Sequence, residues 1–383
     1  MPANLADVRK KVPLLAPLRK DVASIGPPWL PVALVLGAIA AVAYVDHRVV
    51  STSLVYLYIF PLGVSAILLR KEVTYSLIPL CILLHDFWSP RIIHLPVRIF
   101  DNVVTLLCFS FVVYVIQRYI EERELLAETI QKQRDDLLRD VELAAQVQRM
   151  FLPAGTPTIA GLEIAGMMRP FRSVGGDYYD YMPINANTIQ IVIGDVSGKG
   201  VSAALLMSAT AAAMRMEAGR DRNMLQQVER LNTEIGAVSD PERYVTLLVA
   251  EIDTDKRRIR YVNCGHNSAL LFQAKTRTLK RLESSCPPIG LNPEEFCELA
   301  SADLTSGDVL VFYTDGVTEA ENLLAEEFGM ERLSAVLQRS SSLTAKGLMD
   351  DIFSSAANFS KDVGFGDDVT ILVVKCAFDG SPV

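Results

Sequence analysis

The sequence predicts an α+β layered sandwich preceded by an all-α membrane domain of four helices. Three observations carry this: apolar runs crowd the first third of the chain, short β-rich segments and paired helical stretches follow Pro153, and the charge changes sign between the two parts. Of the 383 residues, 50% are hydrophobic and 21% charged, which is too apolar for a disordered chain. Residues 1–120 carry 11 Lys/Arg against 6 Asp/Glu, whereas residues 121–383 carry 26 against 39. The acidic second part argues against a nucleic-acid partner, because neutralising phosphate needs basic surface. Metal cations fit it better. The six cysteines, Cys81, Cys108, Cys264, Cys286, Cys297 and Cys376, form no C-x-x-C pair and no zinc-ligand spacing with the four histidines, and are read as reduced core residues.

The apolar runs fall at about 28–45, 54–69, 73–88 and 102–120, near the lower end of the roughly 17–25 residues that span a bilayer. They define a transmembrane domain at 28–120 behind a basic tail at 1–27. The first run is uncharged from Trp29 to Val45 and is followed by further apolar runs, the pattern of an anchor and not of a cleaved signal peptide. Arg9, Lys10, Lys11, Arg19 and Lys20 before the first run, Arg70 and Lys71 between the second and third, and Arg118 and Arg123 after the fourth favour the cytoplasmic side. Arg48, Arg91 and Arg98 on the opposite side make this a bias only. An even number of spans places both termini in the cytoplasm. Pro61 and Pro79 fit kinked spans, with re-entrant segments as the rival reading. His85, Asp86 and His94 read first as interfacial residues and second as a proton or metal sensor.

From Arg118 to Met150 there is no Gly or Pro, and Glu, Arg, Leu, Gln and Ala dominate. This predicts one long helix continuing from the last span and ended by Pro153. Leu126, Ile130, Leu137, Val141, Ala144 and Phe151 recur three, four or seven apart, while Gln133 and Asp140 interrupt a strict heptad. The helical linker at 121–153 is therefore either a coiled coil joining a homodimer or an amphipathic helix packed on its own domain.

Within the remaining domain, 154–383, strands are expected at Leu162–Met168, Ile189–Ile193, Tyr244–Ile252, Arg258–Cys264, Val309–Tyr313 and Val369–Val374. Helices are expected at about 200–218, 222–238, 331–339 and 344–360. Paired helices without strict β-α-β alternation give the α+β class. Acidic residues beside glycine stand at the strand ends: Gly175-Gly176-Asp177, Gly194-Asp195-Val196-Ser197-Gly198, Thr314-Asp315-Gly316 and Gly366-Asp367-Asp368. One Asp-Gly pair is an ordinary turn, but four beside strands in one domain point to a shared site. Converging carboxylates repel unless hard cations neutralise them, which suggests Mg²⁺ or Mn²⁺. Two such ions roughly 3.5–4 Å apart can activate a water and clamp a transferring phosphoryl group.

The segments Pro170-Phe171-Arg172-Ser173-Val174-Gly175-Gly176-Asp177-Tyr178-Tyr179-Asp180, Gly194-Asp195-Val196-Ser197-Gly198-Lys199-Gly200, Cys264-Gly265-His266-Asn267, Tyr313-Thr314-Asp315-Gly316-Val317-Thr318-Glu319-Ala320 and Gly366-Asp367-Asp368-Val369-Thr370 resemble the SpoIIE/RsbU-type branch of the PPM metal-dependent Ser/Thr phosphatases. The likeness runs through about residues 140–376 and includes the approach Ala145-Gln146-Val147-Gln148-Arg149-Met150-Phe151-Leu152-Pro153. It implies a PPM-type αββα sandwich, two antiparallel sheets flanked by helices, with two Mn²⁺ or Mg²⁺ ions at one edge.

By the same resemblance, Asp195 bridges both metals with help from the Val196 backbone carbonyl, Asp315 and Asp367 hold one metal, and Asp177 acts directly or through metal-bound water. These four aspartates form the expected catalytic set around a metal-activated water, and Asp368 orients ligands from behind them. Arg172 and Lys199 are phosphate-binding candidates, the first through a bidentate guanidinium and the second at the start of a helix. A surface salt bridge and a solvated first-turn residue are their alternatives. His266 reads as a hydrogen-bonded turn residue ahead of a general acid. Ser197 stands where animal relatives carry a histidine, which leaves leaving-group protonation unassigned. Met207, on the helix after Gly200, is a regulatory candidate through that helix and otherwise a core filler.

These readings combine into a membrane-bound signalling phosphatase of the bacterial inner membrane acting on phosphoserine or phosphothreonine. The resemblance implies a phosphorylated protein substrate, a STAS-type anti-sigma-factor antagonist, and a role in sigma-factor regulation and stress response. A non-catalytic membrane signalling scaffold of the same fold is the alternative, and a transporter is disfavoured by the scarcity of polar residues along the spans.

Overall fold

The structure is a computed structural model that describes residues 27, 29–49, 54–88, 95–218, 223–238, 243–291 and 297–378. His94 and the basic tail before residue 27 lie outside the described residues. The chain divides into two compact units, Met1–Leu137 and Leu138–Val383.

The first unit holds α1 (Leu30–Arg48), a 3₁₀ turn Val55–Tyr58 running into α2 (Ile59–Leu68), α3 (Lys71–Trp88) and the start of α4 (Leu95–Arg149). Helical segments therefore stand where the four apolar runs fall. Two of them, Leu30–Arg48 and Leu95–Arg149, are long and apolar enough to cross a membrane, and Val55–Leu68 is a shorter apolar helix. Val35, Ile39, Tyr58, Leu62, Ile78 and Phe109 pack into one buried cluster. Leu34, Phe60, Leu83, Phe87, Leu107 and Phe111 instead face outward. His85 and Asp86 do not form one site. His85 Nδ1 lies 2.7 Å from Asp46 Oδ2, while Asp86 accepts from Arg98 Nε at 3.1 Å and Asn102 Nδ2 at 2.6 Å. Helix α4 continues unbroken for 55 residues and ends at Arg149, ahead of Pro153.

The second unit contains β1 (Leu162–Arg169), β2 (Tyr178–Asn185), β3 (Thr188–Val196), α5 (Val201–Ala218), α6 (Met224–Val238), β4 (Val245–Asp253), β5 (Arg258–Cys264), β6 (Ala269–Gln273), β7 (Thr278–Leu282), β8 (Ala300–Asp303), β9 (Val309–Tyr313), α7 (Asp315–Thr318), α8 (Gly329–Ser340), α9 (Ala345–Phe359) and β10 (Val369–Cys376). The strands form two five-stranded antiparallel sheets, ordered β1-β10-β9-β6-β7 and β2-β3-β4-β5-β8.

The period-2 geometry of a strand sorts side chains to opposite faces. Ile189, Ile191 and Ile193 of β3 meet Leu372 and Val374 of β10 in the core between the sheets. The alternate residue Val192 faces Met207 of α5 and Leu231 of α6. On the other side, Ile371 and Val373 face Leu333 of α8 and Ile352 of α9. Both faces of the central strands are thus buried, which is why β3, β4 and β10 are nearly continuous apolar runs. The result is an αββα sandwich.

Two expectations are corrected. Strands β2, β6, β7 and β8 were absent from the pattern reading, because Asp180, Pro183 and Asn185 in β2 and Lys280 and Arg281 in β7 break the apolar signal while backbone pairing still recruits them. The cysteines are not six reduced core thiols. Cys286 is joined to Cys297 by a disulfide and Cys108 is exposed, since chain topology, which spacing does not report, brings the first pair together.

Phe312 is fully buried between the sheets. Phe312→Ala is expected to destabilise the second unit by about 3–5 kcal/mol, read as an earlier unfolding midpoint of the detergent-solubilised chain.

Candidate functional site

Four loops meet at one edge of the sandwich. Asp177 directly precedes β2, Asp195 stands near the end of β3, Asp315 opens α7 just after β9, and Asp367 and Asp368 directly precede β10. Antiparallel pairing fixes their proximity: Tyr178 is opposite Gly194, and Ile371 is opposite Tyr313. The structure therefore brings together all five aspartates singled out in the sequence.

Asp177 links the two sheets. Its Oδ2 accepts hydrogen bonds from Thr314 Oγ1 at 2.8 Å and Thr370 Oγ1 at 2.5 Å, and Thr314 Oγ1 in turn accepts from the Thr370 N–H. Asp368 reaches into the loop before β2, where it accepts from the N–H groups of Phe171 and Gly176, each at 2.7 Å. Glycine is needed for this approach. A Cβ on Gly175 would overlap the Asp368 carboxylate, and one on Gly316 would overlap the Asp368 carbonyl oxygen. A Cβ on Gly176 would lie 3.1 Å from both Asp195 Oδ1 and the Val196 carbonyl oxygen. Those two oxygens thus converge on space that only glycine leaves open.

Crowding of like charges is written into the acidities. Burial, followed by repulsion from Asp195 and Asp368, holds the Asp177 carboxyl well above the usual range. Burial and the Asp315, Asp367 and Asp368 charges push Asp195 up to about 8. Asp315 is raised by burial and Asp367, and Asp368 is raised mainly by burial although three backbone N–H groups oppose the shift. One cation answers them directly: Lys199 Nζ lies 2.6 Å from Asp367 Oδ2 and donates to the Gly366 carbonyl.

An all-oxygen donor set with this excess of negative charge fits hard divalent ions. Among the described residues, no three of these carboxylates bring oxygens within 4.8 Å of one another.

The other singled-out residues are placed as follows. Lys199 is engaged by Asp367 and Gly366. Arg172 is exposed, with its guanidinium 5.9 Å from the Phe171 ring centroid. Met207 is fully buried among Tyr178, Val192 and Val196, where a charge would be stranded. His266 is buried with its Nδ1 2.9 Å from Thr246 Oγ1, and burial drives its pKa down to about 4, so it is neutral at pH 7. Ser197 Oγ accepts from the Tyr244 N–H.

Pattern reading did not assign roles to Gln148, Thr314, Thr370 or Glu319. Gln148, at the end of α4, grips the Gly175 peptide from both sides: its Nε2 donates to the Gly175 carbonyl at 2.6 Å and its Oε1 accepts from the Gly175 N–H at 3.2 Å. Ala145, Val174 and Ala204 pack beside it. Glu319 is exposed, yet burial of its carboxyl and the Asp315 charge raise its pKa. Its signal is only the position four residues after Asp315.

A carboxyl with a folded pKa of about 8 keeps a proton that the unfolded chain releases near pH 4, so Asp195 subtracts stability as pH rises through that window. With chelator present, the full chain is expected to melt at a lower temperature at pH 8 than at pH 5. Added Mn²⁺ is expected to remove most of that deficit. A melting temperature that climbs across this range in chelator would contradict the assignment.

A family model described as Stage II sporulation protein E (SpoIIE) matches residues 185–377. IcfG of Synechocystis sp. is 29% identical over 264 residues, covering 61% of this chain and 41% of that protein. The phosphoserine phosphatase RsbU of Bacillus subtilis is 27% identical over 250 residues, covering 65% of this chain and 73% of that protein. The solved SiaA-PP2C domain of Pseudomonas aeruginosa superposes with a TM-score of 0.55 at 19% identity, over 63% of this chain and 98% of that domain, a likeness of fold. The chain thus spans less than half of one curated relative and about three quarters of the other. With a family match across half its length and the two-sheet sandwich, the chain belongs to the SpoIIE family.

Proposed function

We propose that this chain is a membrane-anchored, metal-dependent protein serine/threonine phosphatase. One observation carries the reading: five aspartates from four loops share one sheet edge, burial and neighbouring carboxylate charges raise the pKa of Asp177, Asp195, Asp315 and Asp368, and Lys199 contacts Asp367. Asp177, Asp195, the Val196 carbonyl, Asp315 and Asp367 would hold two Mn²⁺ or Mg²⁺ ions. When bound, such ions supply Lewis acidity and a water activated for attack on a phosphoester.

The chain's own residues supply the rest. Thr314 and Thr370 fix the rotation of Asp177. Asp368 shapes the loop before β2 through three backbone N–H groups. Lys199 holds Asp367, and Arg172, exposed beside Phe171, is available to a phosphate. Neutral, buried His266 stays in its turn, so the proton for the departing serine oxygen comes from elsewhere.

The substrate that best fits the family resemblance is phosphoserine or phosphothreonine on a STAS-type anti-sigma-factor antagonist. The domain plan is a basic tail at 1–27, a membrane domain of four helices at 28–120, a helical linker at 121–153 and the phosphatase domain at 154–383. Outward-facing Leu34, Phe60, Leu107 and Phe111 support a lipid surround for the first unit, with both termini cytoplasmic in a bacterial inner membrane. Leu126, Ile130 and Leu137 are exposed on α4, which supports a homodimer through the linker.

The test uses the full chain in detergent micelles and a phosphoserine peptide. Turnover is expected with Mn²⁺ and not with chelator, and Asp195→Ala is expected to lower it by about a hundredfold or more. A folded, metal-loaded chain without turnover would support the scaffold reading instead. Arg172→Ala is expected to raise KM by about tenfold with little change in kcat, and unchanged KM would remove Arg172 from phosphate binding.

A further inference from the structure

A second group of metal-ligating side chains lies apart from the carboxylates. Cys264 is the last residue of β5 and is fully buried. Cys286 follows β7 and is buried, and Cys297 precedes β8 and is partly buried. The Cys264 and Cys286 sulfurs are 3.6 Å apart, and all three sulfurs lie within 4.8 Å of one another. No other set of three His, Cys, Asp or Glu ligand atoms among the described residues is this compact.

Two of the three positions are held by backbone independently of the disulfide. The N–H groups of Ser285 and Cys286 both donate to the Asn263 carbonyl, at 2.8 and 3.0 Å, and Ile289 exchanges two hydrogen bonds with Val245. Gly265, at φ +67°, lies so close to Pro288 that a Cβ would stand 2.6 Å from Pro288 Cγ. Cleaving the Cys286–Cys297 bond therefore leaves Cys264 and Cys286 where they are.

We propose that Cys264, Cys286 and Cys297 form, in the reduced chain, a three-thiolate site for Zn²⁺. Zinc–thiolate bonds of about 2.3 Å put neighbouring sulfurs of a tetrahedral site roughly 3.8 Å apart, close to the Cys264–Cys286 separation. Thiolates select soft or borderline ions over Mn²⁺ and Mg²⁺, so this site and the aspartates take different metals. Three protein donors leave the fourth position to a water or small thiol.

The arrangement fits a cage better than an internal disulfide relay. In-line attack of Cys264 on Cys286 needs the attacking and leaving sulfurs on opposite sides of Cys286, whereas here all three are clustered.

The disulfide and the zinc site exclude each other. A dithiol reductant passes two electrons and two protons to the Cys286–Cys297 bond, giving two thiols and the reductant's own disulfide. Zn²⁺ then displaces three protons, one from each thiol, and three Zn–S bonds form.

The test is direct. The full chain in detergent is reduced with a phosphine, its six thiols are verified by titration, and excess Mg²⁺ is supplied to the carboxylates. Co²⁺ is then added as the optical probe. One equivalent is expected to produce a thiolate-to-cobalt charge-transfer band that one equivalent of Zn²⁺ abolishes. The unreduced chain is expected to show none. Cys264→Ser and Cys297→Ser are each expected to lose the band with far-ultraviolet circular dichroism unchanged, and Cys297, partly exposed, is the variant least exposed to a folding defect. The proposal is overturned by a reduced, folded chain without the band, by a band that survives either substitution, or by a disulfide that withstands the reductant. None of these readouts depends on phosphatase activity.

Discussion

Repulsion among carboxylates is the constraint around which the second unit is organised. Burial and neighbouring carboxylate charges raise the proton affinity of Asp177, Asp195, Asp315 and Asp368, an arrangement that isolated loops would relax by moving apart. They do not, because each is anchored next to a strand whose two faces are buried in the sandwich. The energy of that packing, distributed over three buried clusters, holds in place a crowd of carboxylates that is unfavourable by itself.

Polar detail then refines the anchoring. Two threonines from one sheet hold the carboxylate that opens the other, so relative sliding of the sheets is opposed at the site itself. Asp368 spends its oxygens on backbone N–H groups, which suits a carboxylate that shapes a loop more than one that faces an ion. Lys199 offsets a single partner, Asp367.

Much of this was legible in the sequence for a physical reason. Strands buried on both faces need unbroken β-branched and aliphatic runs, and carboxylates that must approach backbone need glycine beside them; both leave local marks. β2 was not legible, since Pro183 and Asn185 blur its end, and neither was short β8, which reads only Ala300-Ser301-Ala302-Asp303. Gln148, Thr314 and Thr370 gain their importance from partners 27, 137 and 193 residues away, a relation that no local pattern encodes. The cysteines failed in the same way. Cys264 and Cys286 are 22 residues apart, a spacing without meaning until the strand end and the loop after β7 are brought side by side.

Strand β10 sits inside its sheet, between β1 and β9, and follows every other described strand in sequence. Asp367, Asp368 and Thr370 arrive with it, and the contacts they make reach back almost 200 residues. During synthesis, the carboxylate constellation cannot assemble on a partial chain: β1 and β9 lack their shared neighbour, and Asp177 lacks one of its threonines. Contacts of such long sequence separation form slowly. A ribosome-bound intermediate with its apolar helices already made, but without β10, would hence hold an incomplete carboxylate cluster.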